Sequence, residues 1–500
     1  MSETAHVVDT DPHPLFRVYS AGNFGEVAPQ RLSPMSWSLV GEPMERATRS
    51  LARRLWGRRS WAEGSHFVFL GYFGCRPYHN LSAYCQLSCS IPGLRPQDVT
   101  NAYFEGIAPP EEFRAIRESP VSRVRSLSKL LRELRAVGGR LTGLEQRVAA
   151  LELGVRLAVT ADNPIAVHDV FRRARETLIE AWSCHIICTA GLVPLTVLQR
   201  KAYEKLLRHP DEAARWLTRP RELVWERLHA AAATGDQYGP GAFLNSSFYE
   251  VADSHVPWRD YTVRHRISAP PTTGKDLPLH PADAMIGMLD SWPGHPARAL
   301  ATTVGETMAG REQSKSLVMR TLHVFRLTLP RLAEQLGVDE QTWPYLTVGE
   351  LDGMVTRPSL LNRAAPRKDA CAAALRVDMP EHLDLTHADS QPRPWMPSAQ
   401  RRTRGVAPGI AVGPVISPTD ELLGDGYVLV CDSADADVAP LLPFVDGVLS
   451  DRGSELSHIA ILCREYQIPC VVGFSGAAKL KTGTGVSING STGEVIVYEQ

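Results

Sequence analysis

The spacing of apolar residues divides the chain into two regions of different character. Before about residue 385, Leu, Val and Ile recur three and four positions apart over long segments, which is the period of an amphipathic α-helix. Loops rich in Pro and Gly at 235–241 and 268–300 interrupt this pattern. We therefore predict a large, mainly helical domain over 1–385. Its long periodic segments lie at roughly 121–159, 163–191, 212–234 and 312–337.

Short β-branched runs separated by Gly replace the helical period beyond residue 404. Residues 386–403, between the two regions, are rich in Pro and Arg and have no apolar period, as expected of a linker. We predict a small, separate β/β/α unit over 404–500, so that the whole chain has an α+β fold. The predicted strands are Ala411–Ile416, Tyr427–Cys431, Gly447–Leu449, Pro469–Val472, Val486–Ile488 and Glu494–Val497.

Length and composition narrow the functional classes. A chain of 500 residues is too long for one hydrophobic core, and 44% hydrophobic with 22% charged residues is typical of a soluble enzyme. The formal net charge is -1, which indicates neither nucleic acid nor an anionic membrane as a partner. We find no secretory leader and no apolar run of the ~18 to 20 residues that span a membrane. A cytoplasmic protein is therefore expected.

A polar, Gly-containing loop runs into a short helical pattern in the middle of the C-terminal unit. Ser457 is a good N-cap residue, which would place His458 in the first turn of the helix. Free amides and the positive end of the helix dipole favour an anion there, so a phosphoryl group carried on the imidazole would be stabilised. A neutral imidazole is also a competent nucleophile. From spacing alone, an ordinary hydrogen-bonded histidine near a helix start is the alternative.

The loop, the helix and the strand that follows match a recurrent pattern at Gly453, Ser457, His458, Ala460, Arg464, Glu465, Ile468, Pro469, Val471, Val472 and Gly473. This pattern resembles the phosphohistidine swivelling domain of phosphoenolpyruvate-utilising enzymes, which include pyruvate phosphate dikinase, phosphoenolpyruvate synthase and rifampicin phosphotransferase. The resemblance covers about 404–498 and implies a mobile domain with His458 as nucleophile and Ser457, Arg464 and Glu455 beside it. Two positions depart from the pattern: Ser454 replaces a Gly, and Glu455 adds a carboxylate that would either repel a phosphoryl group or act as a base.

A second set of matches lies near the N-terminus, at Asn23, Gly25, Glu26, Val27, Pro29, Ser33, Pro34, Ser36, Trp37 and Ser38. It resembles the start of the helical substrate-binding domain of rifampicin phosphotransferase, and residues 71–80 resemble a loop of that domain. The resemblance implies a small organic substrate, and we expect Glu26, Arg76, His79 and Trp37 to bind it. Residues 235–243 lack the Arg and Glu that the family has there, so rifampicin itself is not the expected substrate.

The resemblance also implies a phosphoryl donor. In the resembled enzymes an ATP-grasp module phosphorylates the swivelling His, but this sequence shows neither that module nor a P-loop. We therefore expect a separate ATP-grasp partner, with ATP used indirectly, Mg²⁺ as a cofactor and no metal site in this chain. The expected reaction is phosphoryl transfer to a hydroxyl in specialised metabolism. The alternatives are a binding or scaffold protein without phosphoryl chemistry and an enzyme repurposed for a non-phosphoryl reaction.

Overall fold

A computed structural model gives the fold of the chain. It describes residues 9–22, 24, 28, 31–57, 60–63, 67–104, 107–111, 113–207, 250–252, 281–291, 295–377, 379–386, 393–394, 403–420, 426–433, 438, 441–442, 444–454 and 457–498. The predicted helix at 212–234 and the predicted loop at 235–241 lie outside these residues. Within them the fold is α+β, with a large, mainly helical region and a small C-terminal sheet.

Long helices form the core of the helical domain. They are α1 (Pro34–Trp56), α4 (Pro120–Thr160), α5 (Pro164–Leu207) and α7 (Pro296–Gln335). The shorter helices are α2 (Leu81–Cys89), α3 (Pro96–Tyr103), α6 (Pro281–Asp290), α8 (Val348–Gly353) and α9 (Ala364–Leu375). The predicted helical segments at 121–159, 163–191 and 312–337 are thus confirmed, although α5 and α7 are longer than predicted.

The burial pattern of α4 explains why these helices pack side by side. Its buried apolar residues alternate three and four positions apart for most of its length, which is the seam of a coiled-coil-like bundle. They are Leu130, Val137, Leu141, Leu144, Val148, Leu151 and Val155. Among the described helices, α5 is long and apolar enough to cross a membrane, but 67% of its most apolar 18-residue stretch is buried inside the protein. Such burial is typical of a core helix.

The prediction of a loop over 268–300 is wrong for part of that range. Helix α6 occupies 281–290, and α7 begins at Pro296. Both helices start with Pro, which is tolerated in the first helical turn because the amide there has no intrahelical acceptor. The prolines that suggested a loop therefore mark helix starts.

A small antiparallel sheet joins the two ends of the helical domain. Its strands are β1 (Val18–Ser20), β2 (Leu70–Phe73), β3 (Arg76–Asn80), β4 (His382–Asp384) and β5 (Arg393–Pro394), in the order β2-β3-β1-β4-β5. Tyr19 of β1 pairs with Asn80 on one side and with Leu383 on the other. The chain thus returns to its first strand shortly before the predicted linker, and the last strand of the sheet, β5, lies inside the range predicted as linker.

The C-terminal unit is built on a seven-stranded sheet. Its strands are β6 (Arg404–Ala407), β7 (Ile410–Ile416), β8 (Val428–Ser433), β9 (Gly447–Arg452), β10 (Cys470–Val472), β11 (Gly485–Asn489) and β12 (Val495–Val497). The six predicted strands are confirmed. Strands β7, β8, β9 and β10 run parallel, while β6 pairs antiparallel with β10. Helix α10 (His458–Glu465) connects β9 to β10 and packs Ile459, Leu462 and Cys463 on one face of the sheet.

Candidate functional site

The loop that precedes α10 is closely packed. Gly453 follows β9 with a φ of 147°, a conformation that favours Gly, and a Cβ there would lie 2.9 Å from Cγ1 of Val472. Ser454 and Ser457 are buried, with 4% and 0% exposure. This packing ties the loop to the end of β10, so that the carboxyl ends of β9 and β10 both border it. Ligands of open α/β sheets bind at such carboxyl ends.

Ser457 is the N-cap of α10, as the sequence predicts. Its φ and ψ of -62° and 153° are extended, and its Oγ accepts a hydrogen bond from the amide of Ala460 at 3.4 Å. His458 is therefore the first helical residue, where backbone amides have no intrahelical acceptor. The structure describes the backbone of His458 but not its side chain, and Glu455 lies outside the described residues. The helix start can receive an anion carried by a residue at this position.

Arg464 lies in the last turn of α10 rather than in the loop. Its Nε donates to the carbonyl of Ala460 at 2.9 Å, so the guanidinium is held back along the helix towards its N-terminal half. The side chain is partly exposed. It adds positive charge to the face of α10 that also carries Ala460.

Asp451 is a supporting residue that sequence reasoning missed. Its Oδ1 accepts hydrogen bonds from the amides of Gly476 and, at 3.0 Å, Ala477, while Oδ2 accepts one from Ala478 at 3.1 Å. The carboxylate thereby ties the end of β9 to the turn that follows β10. The available signal was an acidic residue two positions before the Gly of the loop.

The described part of the C-terminal unit contacts the helical domain at α3. Nη2 of Arg404, at the start of β6, donates to Oδ1 of Asn101 at 2.7 Å. Arg404 is also the register partner of Val472, against which Gly453 packs. The edge strand β6 therefore lies near α3, two strands away from β9, which leads into the His458 loop.

Arg76 and His79 do not lie in a loop, as the sequence suggested, but on β3. Because side chains alternate along a strand, Arg76 and His79 point to opposite faces. On one face, Nη1 of Arg76 donates to the carbonyl of Met379 at 2.6 Å, and its guanidinium lies 5.7 Å from the ring centroid of Tyr78. The structure thus separates the two residues that we expected to act together on a substrate.

His79 lies in an aromatic cluster on the other face of β3. Its ring stacks on Phe24 at 4.3 Å between centroids and meets the edges of Tyr84 at 5.3 Å and Phe104 at 6.0 Å. Burial lowers the pKa of His79 to about 3, so the imidazole is neutral near pH 7. Its Nδ1 is buried and has no hydrogen-bond partner among the described residues. An unpaired buried nitrogen of this kind is costly unless a ligand or water satisfies it.

Trp37 and Glu26 are the other two residues expected to bind the substrate, and the structure describes only Trp37. Trp37 is 1% exposed and stacks on Tyr72 at 4.9 Å between ring centroids, so it belongs to the core. A Cβ at Gly41, one turn further along α1, would collide with the ring of Trp37, so the ring lies directly against the helix backbone at Gly41. Glu26 lies outside the described residues.

Glu45 of α1 is a buried carboxylate that the sequence analysis overlooked. It accepts hydrogen bonds from the amides of Val68, Phe69 and Leu70 at 2.9, 3.0 and 3.1 Å, and from Nε of Arg49 at 2.8 Å. Burial raises its pKa. These contacts hold the start of β2 against α1, so its role is structural. The signal for it was an acid within the apolar stripe of α1.

The described donor side chains form no candidate metal site. Among the residues that the structure describes, no group of three or more His, Cys, Asp or Glu side chains is placed to hold a metal ion. We therefore assign no step to a metal held by these residues.

Comparison with known proteins agrees with the geometry of the loop and helix. The family described as PEP-utilising enzyme, mobile domain, matches residues 423–493. A phosphoenolpyruvate synthase of Pyrococcus furiosus is 38% identical over 100 residues, which are 19% of this chain and 12% of that protein. Rifampicin phosphotransferase of Bacillus subtilis is 27% identical over 202 residues, covering 38% of this chain and 23% of that enzyme.

A longer match links both domains to one relative. An uncharacterised protein of Mycobacterium tuberculosis is 25% identical over 542 residues, covering 98% of this chain and 62% of that protein. The chain thus spans less than two thirds of the length of the curated relatives that it matches. Because the family match coincides with the Gly453 loop, Ser457 and α10, the C-terminal unit is a mobile domain of the phosphoenolpyruvate-utilising enzyme family.

Proposed function

We propose that this protein is a cytoplasmic phosphotransferase component that carries a phosphoryl group on His458. The observation that carries the proposal is the position of His458, which is the first residue of α10 behind the buried N-cap Ser457, within a phosphoenolpyruvate-utilising mobile domain. A phosphoryl group on this residue would lie near the unpaired amides of the helix start, which favour negative charge.

The proposed transfer has two steps. A separate ATP-grasp protein, working with ATP and Mg²⁺, first transfers the terminal phosphoryl group of ATP to His458: a P–N bond forms, the P–O bond to the β-phosphate breaks, and ADP leaves. A hydroxyl oxygen of a small organic acceptor in the helical domain then attacks phosphorus. The P–N bond breaks, a P–O bond forms, and the hydroxyl proton leaves to a base or water. Because such transfer depends mainly on positioning and charge, the contact between the two domains matters as much as the nucleophile.

The product suits specialised metabolism, since phosphorylation converts a hydroxyl into a leaving group for a later elimination or displacement. The competing proposal is a binding protein without phosphoryl chemistry, and Glu455, a carboxylate in the loop before His458, motivates it. The two proposals differ in whether His458 becomes phosphorylated.

The test is intact-mass analysis after incubation with ATP, Mg²⁺ and purified ATP-grasp proteins, and separately with phosphoramidate, a small-molecule phosphoryl donor to histidine. We expect a gain of one acid-labile phosphoryl group that is absent from His458→Ala. His168→Ala, which removes a partly exposed histidine of the helical domain, is the control and should label normally. If neither donor labels His458, the phosphocarrier proposal fails, and Glu455→Gly tests whether the carboxylate is the cause.

A further inference from the structure

The helical domain contains an apolar cavity of about 80 Å³ between α1, α2, α3 and α5. Leu51 and Leu55 of α1 form one wall, and Ile186 and Val193 of α5 form the opposite wall. Tyr84 of α2 closes one side. The residues that α1 and α5 contribute recur three and four positions apart, so one face of each helix lines the space.

The side chains that line the cavity are uncharged. No Asp, Glu, Lys, Arg or His side chain is among the described residues that line the cavity. Three of its polar side chains donate to backbone carbonyls: Oγ1 of Thr48 to Met44 at 2.8 Å, Oγ of Ser88 to Cys85 at 2.6 Å, and the hydroxyl of Tyr103 to Thr189 at 2.6 Å. A water molecule in such a space would find few partners, whereas an apolar group would be stabilised by its removal from water.

The position of α3 connects this cavity to the mobile domain. Val99 and Tyr103 of α3 line the cavity, while Asn101 on the same short helix accepts the hydrogen bond from Arg404. Arg404 lies on the edge strand β6, which pairs with β10, and β10 pairs with the strand β9 that leads into the His458 loop. A single helix therefore has the cavity on one face and the docked edge of the mobile domain on another.

We propose that this cavity holds the apolar end of the phosphoryl acceptor, which is therefore an uncharged alcohol bearing a short alkyl group. This inference rests on the proposed function and adds the substrate class. The cavity is smaller than the about 150 Å³ that accommodates benzene in an engineered core, so it takes an alkyl branch rather than a whole ring. The remainder of the acceptor lies towards the partly exposed rim, which includes Trp56 and Ala190.

Binding of a series of primary alcohols from ethanol to hexanol tests the inference, with ligand-detected NMR and tryptophan fluorescence as readouts. Each methylene that enters the cavity should tighten Kd by about fourfold, until the space is full. Butyrate and butylammonium should bind at least tenfold more weakly than butanol, because their charges would have to leave water. Equal binding of butanol and butyrate would overturn the inference.

A rim variant separates cavity binding from general effects. Ala190→Phe should fill the cavity from its partly exposed rim and weaken butanol binding more than tenfold. Ala150→Phe, at an exposed position on α4, is the matched control and should bind like the wild type. Unchanged binding in Ala190→Phe contradicts the assignment of this cavity. If Ala190→Phe does not fold, the chain-length series on the wild type still decides the matter.

The same ligands distinguish this inference from the proposed function. His458→Ala should keep wild-type alcohol binding, because the described residues that line the cavity all belong to the helical domain and His458 belongs to the C-terminal unit. If alcohols bind but His458 never becomes phosphorylated, the proposed function fails and the cavity stands. If His458 is phosphorylated but alcohols neither bind nor discharge it, the substrate class fails and the phosphocarrier stands.

Discussion

Arg404 and Asn101 form a hydrogen bond between the two domains, with 2.7 Å from Nη2 to Oδ1. Arg404 belongs to the edge strand β6, two strands away from the strand that leads into the His458 loop, and Asn101 belongs to the helix that lines the apolar cavity. The contact therefore connects the two parts of the site that phosphoryl transfer would have to bring together.

Asn101→Ala should slow transfer from phosphorylated His458 to an acceptor several-fold, because it weakens the docked arrangement of the domains. Phosphorylation of His458 by phosphoramidate should be unchanged, since that step needs no docking. The measurement is single-turnover loss of the phosphoryl label with and without acceptor. Equal slowing of both steps would show that the substitution acts on the mobile domain itself and not on docking.

Ser457→Ala should destabilise the start of α10 by about 1 kcal/mol, the usual cost of losing an N-cap side chain. The reason is that the amide of Ala460 loses its acceptor in a buried setting. Urea unfolding measures the free energy of unfolding. Ser475→Ala, at an exposed position in the same unit, is the control and should change it by less than about 0.5 kcal/mol. Equal effects of the two variants would contradict the capping role.

His79 should make stability depend on pH between about 6.5 and 3. The unfolded chain takes up a proton below about 6.5, while burial keeps the folded imidazole neutral down to about 3. In that window the unfolded state binds more protons, so acidification lowers the free energy of unfolding by roughly 1 kcal/mol per pH unit. His79→Phe keeps an aromatic ring and should reduce this slope. An unchanged slope between pH 6 and 4 would show that His79 is protonated in the folded state.

Glu350 of α8 should stabilise the C-terminal end of the helical domain, because it forms ion pairs with Arg363 and with Arg367 of α9. Burial raises its pKa, but hydrogen bonds from Arg367, the amide of Thr347 and Arg363 outweigh that effect and lower the pKa to about 2. Its contribution is thus fully present above about pH 4.5 and is lost as the pH falls towards 2.

Glu350→Gln should therefore lower the free energy of unfolding at pH 7 by about 3 kcal/mol, because it leaves the partly buried Arg367 without its charge partner. Thermal unfolding measures the change in Tm. Glu340→Gln, at an exposed position, is the control and should leave Tm nearly unchanged. A similar Tm for both variants at pH 7 would contradict the ion-pair role.

The sequence by itself determined the features that local chemistry decides. The spacing of apolar residues in α4 and α5, the short β-branched runs of the C-terminal unit and the capping preference of Ser457 all depend on neighbours within a few residues. These patterns predicted the mainly helical domain and the small β/β/α unit, and they placed His458 at the start of a helix. Local signals misled where Pro marked a helix start, as at Pro281 and Pro296, and where Arg76–Asn80 was expected to be a loop but forms β3.

Tertiary structure alone decided which distant residues share a site. Arg76 and His79 are neighbours in sequence, but the alternation of β3 sends them to opposite faces. Trp37 looks like a binding residue in sequence, but packing against Tyr72 buries it. Asn101 and Arg404 meet across the domain contact although about three hundred residues separate them. Such contacts depend on how helices and strands pack together, and no local pattern of residues encodes that packing.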